Sequence, residues 1–365
     1  MARSLRILGT RGVPATHGGF ETFAEVLAIY LVKRGWRITV YCQNEGKGEI
    51  TQDIWEGIRR IHIPTNGNGP FSTIVFDWKS TLHAAADHDL LLTLGYNTAI
   101  FSLVFRHKKL TNIINMDGIE WKRAKWTPPV RVWFWIQERL AMWLGDHLIA
   151  DNPGIFDHLA KHANPDKITM IPYGAEPIQK ADVSLIEAYG LESGQYATVI
   201  ARPEPENSIL EIVKAWSRQP RNAKLVILGN YTDQHYFQRA VLKAAGPEVV
   251  FLGPIYDKPI LYALRHHCKL YIHGHQVGGT NPSLLEALGA ANAILSYDNQ
   301  FNRWVAGNGA VYFQGEDACA AQLDKILDDE ERLDQLRQMS KARHAAAFTW
   351  KQVLHRYEAL LDKWT

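Results

Sequence analysis

The sequence predicts an α/β protein made of two consecutive doubly wound, Rossmann-like halves with a cleft between them. Two observations predict it. Short apolar runs alternate with amphipathic segments through nearly all of the 365 residues, the pattern of parallel strands joined by crossover helices. The length matches two domains at ~100–200 residues each, so each half can bury a core without disulfides or a structural metal.

In the first half, residues 5–9 read as a buried strand and 10–19 as a glycine-rich loop. Residues 20–34 read as a helix with Phe23, Leu27, Tyr30 and Leu31 on one face and Gly35 as its stop. Strands follow at 37–42, 58–63, 89–94, 111–116, 147–150 and 168–171. After Pro172-Tyr173-Gly174 a second series begins, with strands at 197–201, 224–228, 249–252, 270–273, 293–296 and 310–313. Helical patterns at 208–217, 233–245, 259–266 and 282–289 lie between them, and 317–363 is nearly all helical. No solenoid-period repeat and no low-complexity tract interrupts the pattern.

Lys plus Arg number 40 against 38 Asp plus Glu, a formal charge of +2. That balance argues against a dedicated nucleic-acid binder. Cys42, Cys268 and Cys319 are too few and too scattered for a disulfide scaffold or a zinc array, so a reducing cytoplasm is the expected setting. No signal-length apolar stretch follows Arg3 and Arg6, and no run approaches the ~20 apolar residues of a spanning helix. The richest segment, 130–144, is interrupted by Arg131, Gln137, Glu138 and Arg139. A protein that touches a membrane without crossing it is the expectation.

Ligands of open α/β sheets bind at the carboxyl ends of strands, beside helix N-termini. The loop Gly9–Gly19 fits that place: its glycines let a backbone approach a ligand, and free N–H groups opening the helix at Phe20 favour an anion. A bare turn accounts for it equally well. The stronger segment runs from His273 to Ala287. A strand ends at His273, Gly278 and Gly279 free the backbone, Asn281 is a ready N-cap and Pro282 suits the first helical position. Such a terminus offers N–H groups and a positive dipole end to a diphosphate. Glu286, one turn further on, would accept hydrogen bonds from the vicinal hydroxyls of a ribose; a capped helix with an exposed Glu reads as well.

Asp117 ends a buried strand and precedes Gly118, which suits either a cleft-facing carboxylate or a capped turn. The pairs His266/His267 and His273/His275 have no Cys, Asp or Glu at ligand spacing, so no metal is expected. Between Trp121 and Trp126, Lys122, Arg123 and Lys125 interleave with aromatics, which suits an interface with anionic headgroups. The helix carrying Trp133, Trp135 and Trp143 reads equally as a core helix or as part of that interface.

Residues 273–287 resemble the donor-site signature of family 4 of the retaining glycosyltransferases, enzymes of the two-domain GT-B fold. Three stretches resemble its bacterial rhamnosyltransferase-like branch, which builds capsule, exopolysaccharide or O-antigen units of lipopolysaccharide. They are Gly-Thr-Arg-Gly-Val-Pro…His-Gly-Gly-Phe-Glu-Thr-Phe (9–23), Asp117-Gly118-Ile119-Glu120-Trp121-Lys122-Arg123, and Gly278-Gly279-Thr280-Asn281-Pro282-Ser283-Leu284.

The resemblance implies an acceptor-binding domain over 1–173 and a nucleotide-sugar-binding domain over 174–349, with a final helix at about 350–365 crossing back onto the first. It implies that Gly18, Gly19, Arg202, His273, Gly279, Thr280, Asn281, Ser283 and Leu284 hold the diphosphate of a dTDP- or UDP-sugar, and that Glu286 holds its ribose. Asp117 and Arg202 are the implied catalytic residues. Glu120, Trp121, Lys122 and Arg123, with Asp117, would meet a lipid-diphosphate-linked saccharide at the inner face of the cell membrane. Neither a protein nucleophile, a cofactor nor a metal is implied.

Two positions depart from the family's pattern. Gly278 stands where a second Glu is usual, eight positions before Glu286, and no Lys follows Arg202 through 203–208. Arg202 would then carry more of the diphosphate charge, supplemented by Arg11. Two other classes stay open. A nicotinamide-dependent oxidoreductase would want a tight glycine fingerprint and an acid at the end of the second strand, where Cys42-Gln43-Asn44 stands. A non-catalytic nucleotide-sugar binder would keep Glu286 and Arg202 but dispense with Asp117.

Overall fold

The computed structural model describes residues 3–16, 18–67 and 69–365. The chain divides into two compact units. One comprises the chain up to Trp121, Thr127–Pro172 and Val353–Thr365; the other comprises Lys122–Trp126 and Tyr173–Gln352.

The first unit runs β1 (Ser4–Leu8), α1 (Gly19–Lys33), β2 (Arg37–Glu45), β3 (Thr51–Trp55), β4 (Ile58–Thr65), α2 (Pro70–Ala84), β5 (Leu90–Leu94), α3 (Ser102–His107), β6 (Asn112–Asn115), α4 (Pro128–Leu144), β7 (His147–Ala150), α5 (Pro153–Ala160) and β8 (Ile168–Met170). Its eight strands lie in the order β3-β4-β2-β1-β5-β6-β7-β8. All pairs are parallel except β3 with β4. The central strands are covered on both faces, which is why β5 and β7 appear in the sequence as near-continuous apolar runs rather than as alternations, while β1 buries Arg6 and β6 buries Asn112 and Asn115.

β3 is a strand that hydrophobic periodicity does not predict. Four of its five residues are exposed, so neither face carries an apolar signal. It is joined to β4 through Glu56-Gly57, both at positive φ, the backbone that a two-residue hairpin turn requires. α2 is also missing from the periodicity, for the opposite reason. It buries Phe76 but exposes Phe71, Trp78 and Leu82, so its two sides differ little in hydropathy.

The second unit contains α6 (Ser184–Glu187), β9 (Tyr196–Ile200), α7 (Ile209–Trp216), β10 (Lys224–Leu228), α8 (Tyr236–Ala244), β11 (Val249–Gly253), α9 (Lys258–His266), β12 (Leu270–His273), α10 (Pro282–Gly289), β13 (Ile294–Tyr297), α11 (Gln300–Ala306), β14 (Ala310–Phe313), α12 (Gly315–Ile326) and α13 (Glu330–Ala347). The six strands are all parallel, ordered β11-β10-β9-β12-β13-β14. Its core packs Ile209, Ile212, Val213 and Trp216 of α7 against Leu225, Ile227, Leu270, Ile272 and Leu295 of the sheet. The last helix, α14 (Trp350–Leu361), belongs to the first unit from Val353 onward.

Both sheets are Rossmann-like, and each has a point where the strand order reverses. In the second unit the chain leaves β9 toward β10 and β11, then returns to β12 on the other side, so the reversal lies between β9 and β12. In the first unit it lies between β1 and β5. The loops after these strands are where an open sheet leaves a crevice.

Candidate functional site

In the second unit, Arg202 follows β9, and the segment from His273 to Glu286 follows β12, so both emerge at the reversal of the sheet. Gly274 makes the first bend. A Cβ there would collide with the backbone carbonyl oxygen of Asn207, so only glycine lets the two loops close. The β9–α7 loop then pins the β12 loop. Gln276 N donates to Glu206 O at 2.8 Å, Ser208 Oγ to Gly274 O at 2.8 Å, and Gln276 Nε2 to Ser208 Oγ at 2.9 Å. From the far side, Asn302 Nδ2 donates to His275 O at 2.8 Å and Asn299 Nδ2 to the same oxygen at 3.1 Å. The turn is held by side chains from two other segments, Ser208 before α7 and Asn299 and Asn302 at the start of α11.

Asn281 is the N-cap of α10: its Oδ1 accepts from Ser283 N at 3.0 Å, and Pro282 occupies the first turn. This costs the site part of its expected anion-binding backbone. Leu284 N donates to Asn281 O at 3.1 Å, and the Leu284 side chain is fully buried. The N–H groups of Ser283 and Leu284 are therefore bonded within the cap rather than open to a diphosphate. Thr280 is buried, and Gly279 has a φ of 102°, which an L side chain rarely adopts.

Ser283 serves the fold rather than a ligand. Its Oγ lies 2.6 Å from Tyr271 OH, accepts from Arg265 Nη2 at 3.1 Å and donates to Ile200 O at 3.1 Å. The same Arg265 guanidinium, 2 % exposed, is paired with the Glu286 carboxylate, whose side chain is 39 % exposed. Glu286 is thus braced from below while remaining open above, and an ionised carboxylate is an acceptor only. Its chemistry suits a pair of hydroxyl donors. Arg265 was not among the residues singled out from the sequence, because it lies one helix away in α9 with no motif of its own.

His273 is buried, and burial holds its imidazole down to about 3, so it is neutral at physiological pH. Its Nε2 has no protein hydrogen-bond partner. As a neutral ring it can offer one N–H to a ligand. His275 Nδ1 lies 2.6 Å from Asn207 Oδ1. Burial keeps His275 well below its usual value, and His273, Arg123 and Arg202 act in the same direction.

Arg202 itself is exposed, and its backbone oxygen accepts from Asn207 Nδ2 at 2.8 Å. Arg123 belongs to this unit as well. Its Nη1 lies 3.2 Å from Glu206 Oε1, and both side chains are largely buried. That placement differs from the acceptor contact expected of Arg123: the guanidinium is committed to a buried carboxylate of the second unit.

In the first unit, Gly9 ends β1 at a φ of 79°, where a Cβ would strike Leu94 O at the end of β5. The following loop ties itself back to α1: Arg11 N donates to Glu21 Oε1 at 3.0 Å, and Ala15 N donates to Glu25. The expected open anion site at Gly18-Gly19 is altered by this, since Glu21 places a negative charge in the first turn of α1. His17 lies outside the described residues.

Asp117 follows β6 with a φ of 49°, a left-handed conformation that Asp tolerates better than most residues. The fully buried Asn115 imposes it: Asn115 Oδ1 accepts from Asp117 N at 3.0 Å, and its Nδ2 donates to Tyr357 OH at 2.9 Å. Tyr96 OH donates to Gly118 O at 3.0 Å and accepts from Glu120 N at 2.8 Å. Strand 111–116 stops at Asn115 for this reason. Asp117 and Glu120 are both partly exposed on one braced turn. Trp121, expected at an acceptor or membrane, instead donates its indole N–H to the buried Glu138 carboxylate at 3.2 Å; His158 Nε2 lies 3.0 Å from the same oxygen. Lys122 is exposed.

Among the described residues, no group of three or more His, Cys, Asp or Glu side chains could hold a metal ion. The three cysteines are buried and free, and burial pushes the Cys268 and Cys319 thiols up to about 12, so neither is a ready nucleophile.

Comparison with known proteins agrees with this architecture. Residues 186–343 match the family model described as glycosyl transferases group 1. Residues 2–176 match a domain of unknown function, DUF1972. No curated protein matches the sequence. Among solved structures, sucrose-phosphate synthase from Thermosynechococcus elongatus is similar at a TM-score of 0.81 and 15% identity, over 99% of this chain and 98% of that one. HepE of Anabaena in complex with UDP is similar at a TM-score of 0.75 and 11% identity, over 99% and 100%. A UDP-forming α,α-trehalose-phosphate synthase from Burkholderia vietnamiensis is similar at 0.76 and 11%, over 99% and 100%. The fold is the GT-B fold of two Rossmann-like domains. The match to the glycosyl transferases group 1 model lies in the second unit, and together these findings support a GT-B glycosyltransferase.

Proposed function

We propose that the protein is a retaining glycosyltransferase that moves L-rhamnose from a dTDP- or UDP-activated donor to a lipid-linked oligosaccharide at the inner face of the bacterial membrane, in surface polysaccharide synthesis. The observation that carries the donor side is the braced Glu286: a carboxylate one turn into α10, held by Arg265 and open to a ribose diol. Proteins of the same fold that bind UDP and UDP-glucose, such as HepE of Anabaena, support a nucleotide-sugar donor. The sequence motifs around Asp117 and in the loop Gly9–Gly19 support the rhamnosyl branch and the lipid-linked acceptor.

In this reading the C1–O bond of the donor breaks and its electron pair leaves on the diphosphate. The acceptor hydroxyl oxygen bonds C1 from the same face, and its proton passes to the departing phosphate oxygen. Arg202 stabilises the charge that develops on the diphosphate. With the Ser283 and Leu284 N–H groups bonded inside the cap, this guanidinium carries the larger share. Asp117 orients the acceptor hydroxyl and offsets positive charge on the reacting carbon. No metal is needed, so turnover continues in EDTA.

The test is a thermal-shift panel of dTDP, UDP and their sugars, followed by product analysis with the responding donor. Stabilisation by a nucleotide sugar and transfer of rhamnose with retained anomeric configuration are expected. Transfer of glucose would overturn the sugar assignment alone. Nucleotide-sugar binding without transfer to any lipid-linked saccharide would favour a binding protein.

A further inference from the structure

The first unit bears an apolar face on one side of its sheet. From β4 the chain steps to β5, β6 and β7 in one direction, so right-handed crossovers place α2, α3 and α4 together, opposite α1. α3 packs between α2 and α4. α2 exposes Phe71, Ile74, Trp78 and Leu82, a single stripe along the helix, with Phe71 77 % exposed. Leu103 of α3 and Val132, Ile136 and Trp143 of α4 extend it, with Trp143 58 % exposed. Among the described residues no helix is long and apolar enough to cross a membrane, yet this is a contiguous apolar area of the kind that marks an interaction surface.

Its charge names the partner. Across residues 70–84, 99–109 and 128–144 there are six Lys and Arg and two acids, Asp77 and Glu138. Neither acid is exposed, whereas Arg106, Lys108, Lys109 and Arg131 are. Arg106 lies over the Trp143 ring at 5.1 Å, and Arg139 over Trp135 at 5.4 Å. Tryptophans with their apolar bodies outward and guanidinium groups beside them match the boundary between acyl chains and anionic headgroups. A second copy of the chain on the same face would bring its four exposed cations against the same four with no exposed acid between them, which disfavours self-association.

We propose that the α2–α3–α4 face is the surface by which the protein lies on an anionic phospholipid bilayer. The proposal rests on the reading of a lipid-linked acceptor. It moves the contact away from residues 121–126, where Trp121 and Arg123 are engaged with Glu138 and Glu206.

The test is co-sedimentation of the full chain with vesicles of equal parts phosphatidylethanolamine and phosphatidylglycerol, beside vesicles of phosphatidylcholine, without donor or acceptor. Expected is partitioning to the anionic vesicles alone. It should fall ~10-fold or more in Phe71→Ser/Trp78→Ser/Val132→Ser and in Lys108→Glu/Lys109→Glu, and be weakened by salt for the wild type. Lys108 and Lys109 are exposed, so the charge variant should melt as the wild type does; Trp78 also packs against Phe101, so if the apolar variant melts lower the charge variant carries the test. Absence of vesicle binding by the wild type, undiminished binding in both variants, or a dimer in sedimentation velocity that the same substitutions break would each overturn it. The UDP thermal shift is recorded on the same samples: lost lipid binding with that shift intact defeats the docking face only, and intact lipid binding without nucleotide response defeats the donor reading only.

Discussion

Asp117 and Glu286 are two carboxylates at the carboxyl ends of two parallel sheets, and they are held in opposite ways. Asp117 is placed by its backbone: a left-handed residue hung from the side chain of Asn115, with the following turn clamped by Tyr96. Glu286 is placed by its side chain: an ordinary helical residue whose carboxylate is gripped by a buried guanidinium from a neighbouring helix. The first arrangement fixes where a carboxylate sits. The second leaves the helix free to be a generic capped terminus and fixes only the rotamer. Chemistry at the reacting carbon suits the former, and recognition of a diol suits the latter.

The comparison can be broken most severely at Arg202, the guanidinium proposed to meet the donor diphosphate. Arg202→Ala should cut turnover ~100-fold or more, because removing one main donor to a developing oxyanion costs about that much; near-normal kcat would take it out of the mechanism. Asp117→Asn and Asp117→Ala should both lose turnover by ~100-fold. They should differ in stability, since Ala at a left-handed position costs ~1–2 kcal/mol that Asn largely avoids. Equal melting temperatures for the two would mean that the left-handed conformation at 117 carries no penalty for Ala.

Glu286→Gln should act on binding instead, raising the donor KM ~10-fold with kcat little changed, as expected for losing a charge-assisted hydrogen bond. Arg265→Met should lower stability by ~1–3 kcal/mol and raise the same KM, because Glu286 loses its brace. A KM that moved for Glu286→Gln but not for Arg265→Met would show the carboxylate to be self-positioned.

The smallest effect concerns pH. His273 is held neutral in the folded chain down to about 3, while an unfolded histidine protonates near 6.5. The unfolded state therefore binds more protons between those values, and stability falls as pH drops from about 6.5 toward 3. Replacing His273 by Gln should flatten part of that slope in denaturant titrations at pH 7 and pH 5; an unchanged slope would assign the acid sensitivity to other buried histidines.

Much of the fold was legible wherever a segment's environment is uniform along its length. β7, β10, β12 and β14 have the bounds their apolar runs predict, and α10 begins and ends where Asn281-Pro282 and Gly289 say it should. β3 and α2 were not legible, because a strand exposed on both faces, and a helix that buries Ser72, Ser80 and Thr81 while exposing Phe71, Trp78 and Leu82, give periodicity no contrast of the expected sign. The site residues divide in the same manner. Gly279 and Asn281 announce themselves by local backbone chemistry and Glu286 by its spacing from them, whereas Gly274 shows its role only where it meets Asn207 O. Trp121 and Arg123 look like an exposed basic-aromatic stretch, yet each is turned to a buried carboxylate distant in sequence, Glu138 and Glu206.

The order of residues along the chain determines two parallel α/β sheets, their reversal points, and a capped helix start beside one of them, since hydrophobic period and capping act over a few neighbours. Only tertiary structure decided that Arg265 braces Glu286, that the cap consumes its own N–H groups, and that the tryptophans of α4 face outward on the same side of the sheet as Trp78 of α2. These depend on which side chain arrives from another strand or helix, and burial makes such pairings strong without leaving a mark in local sequence.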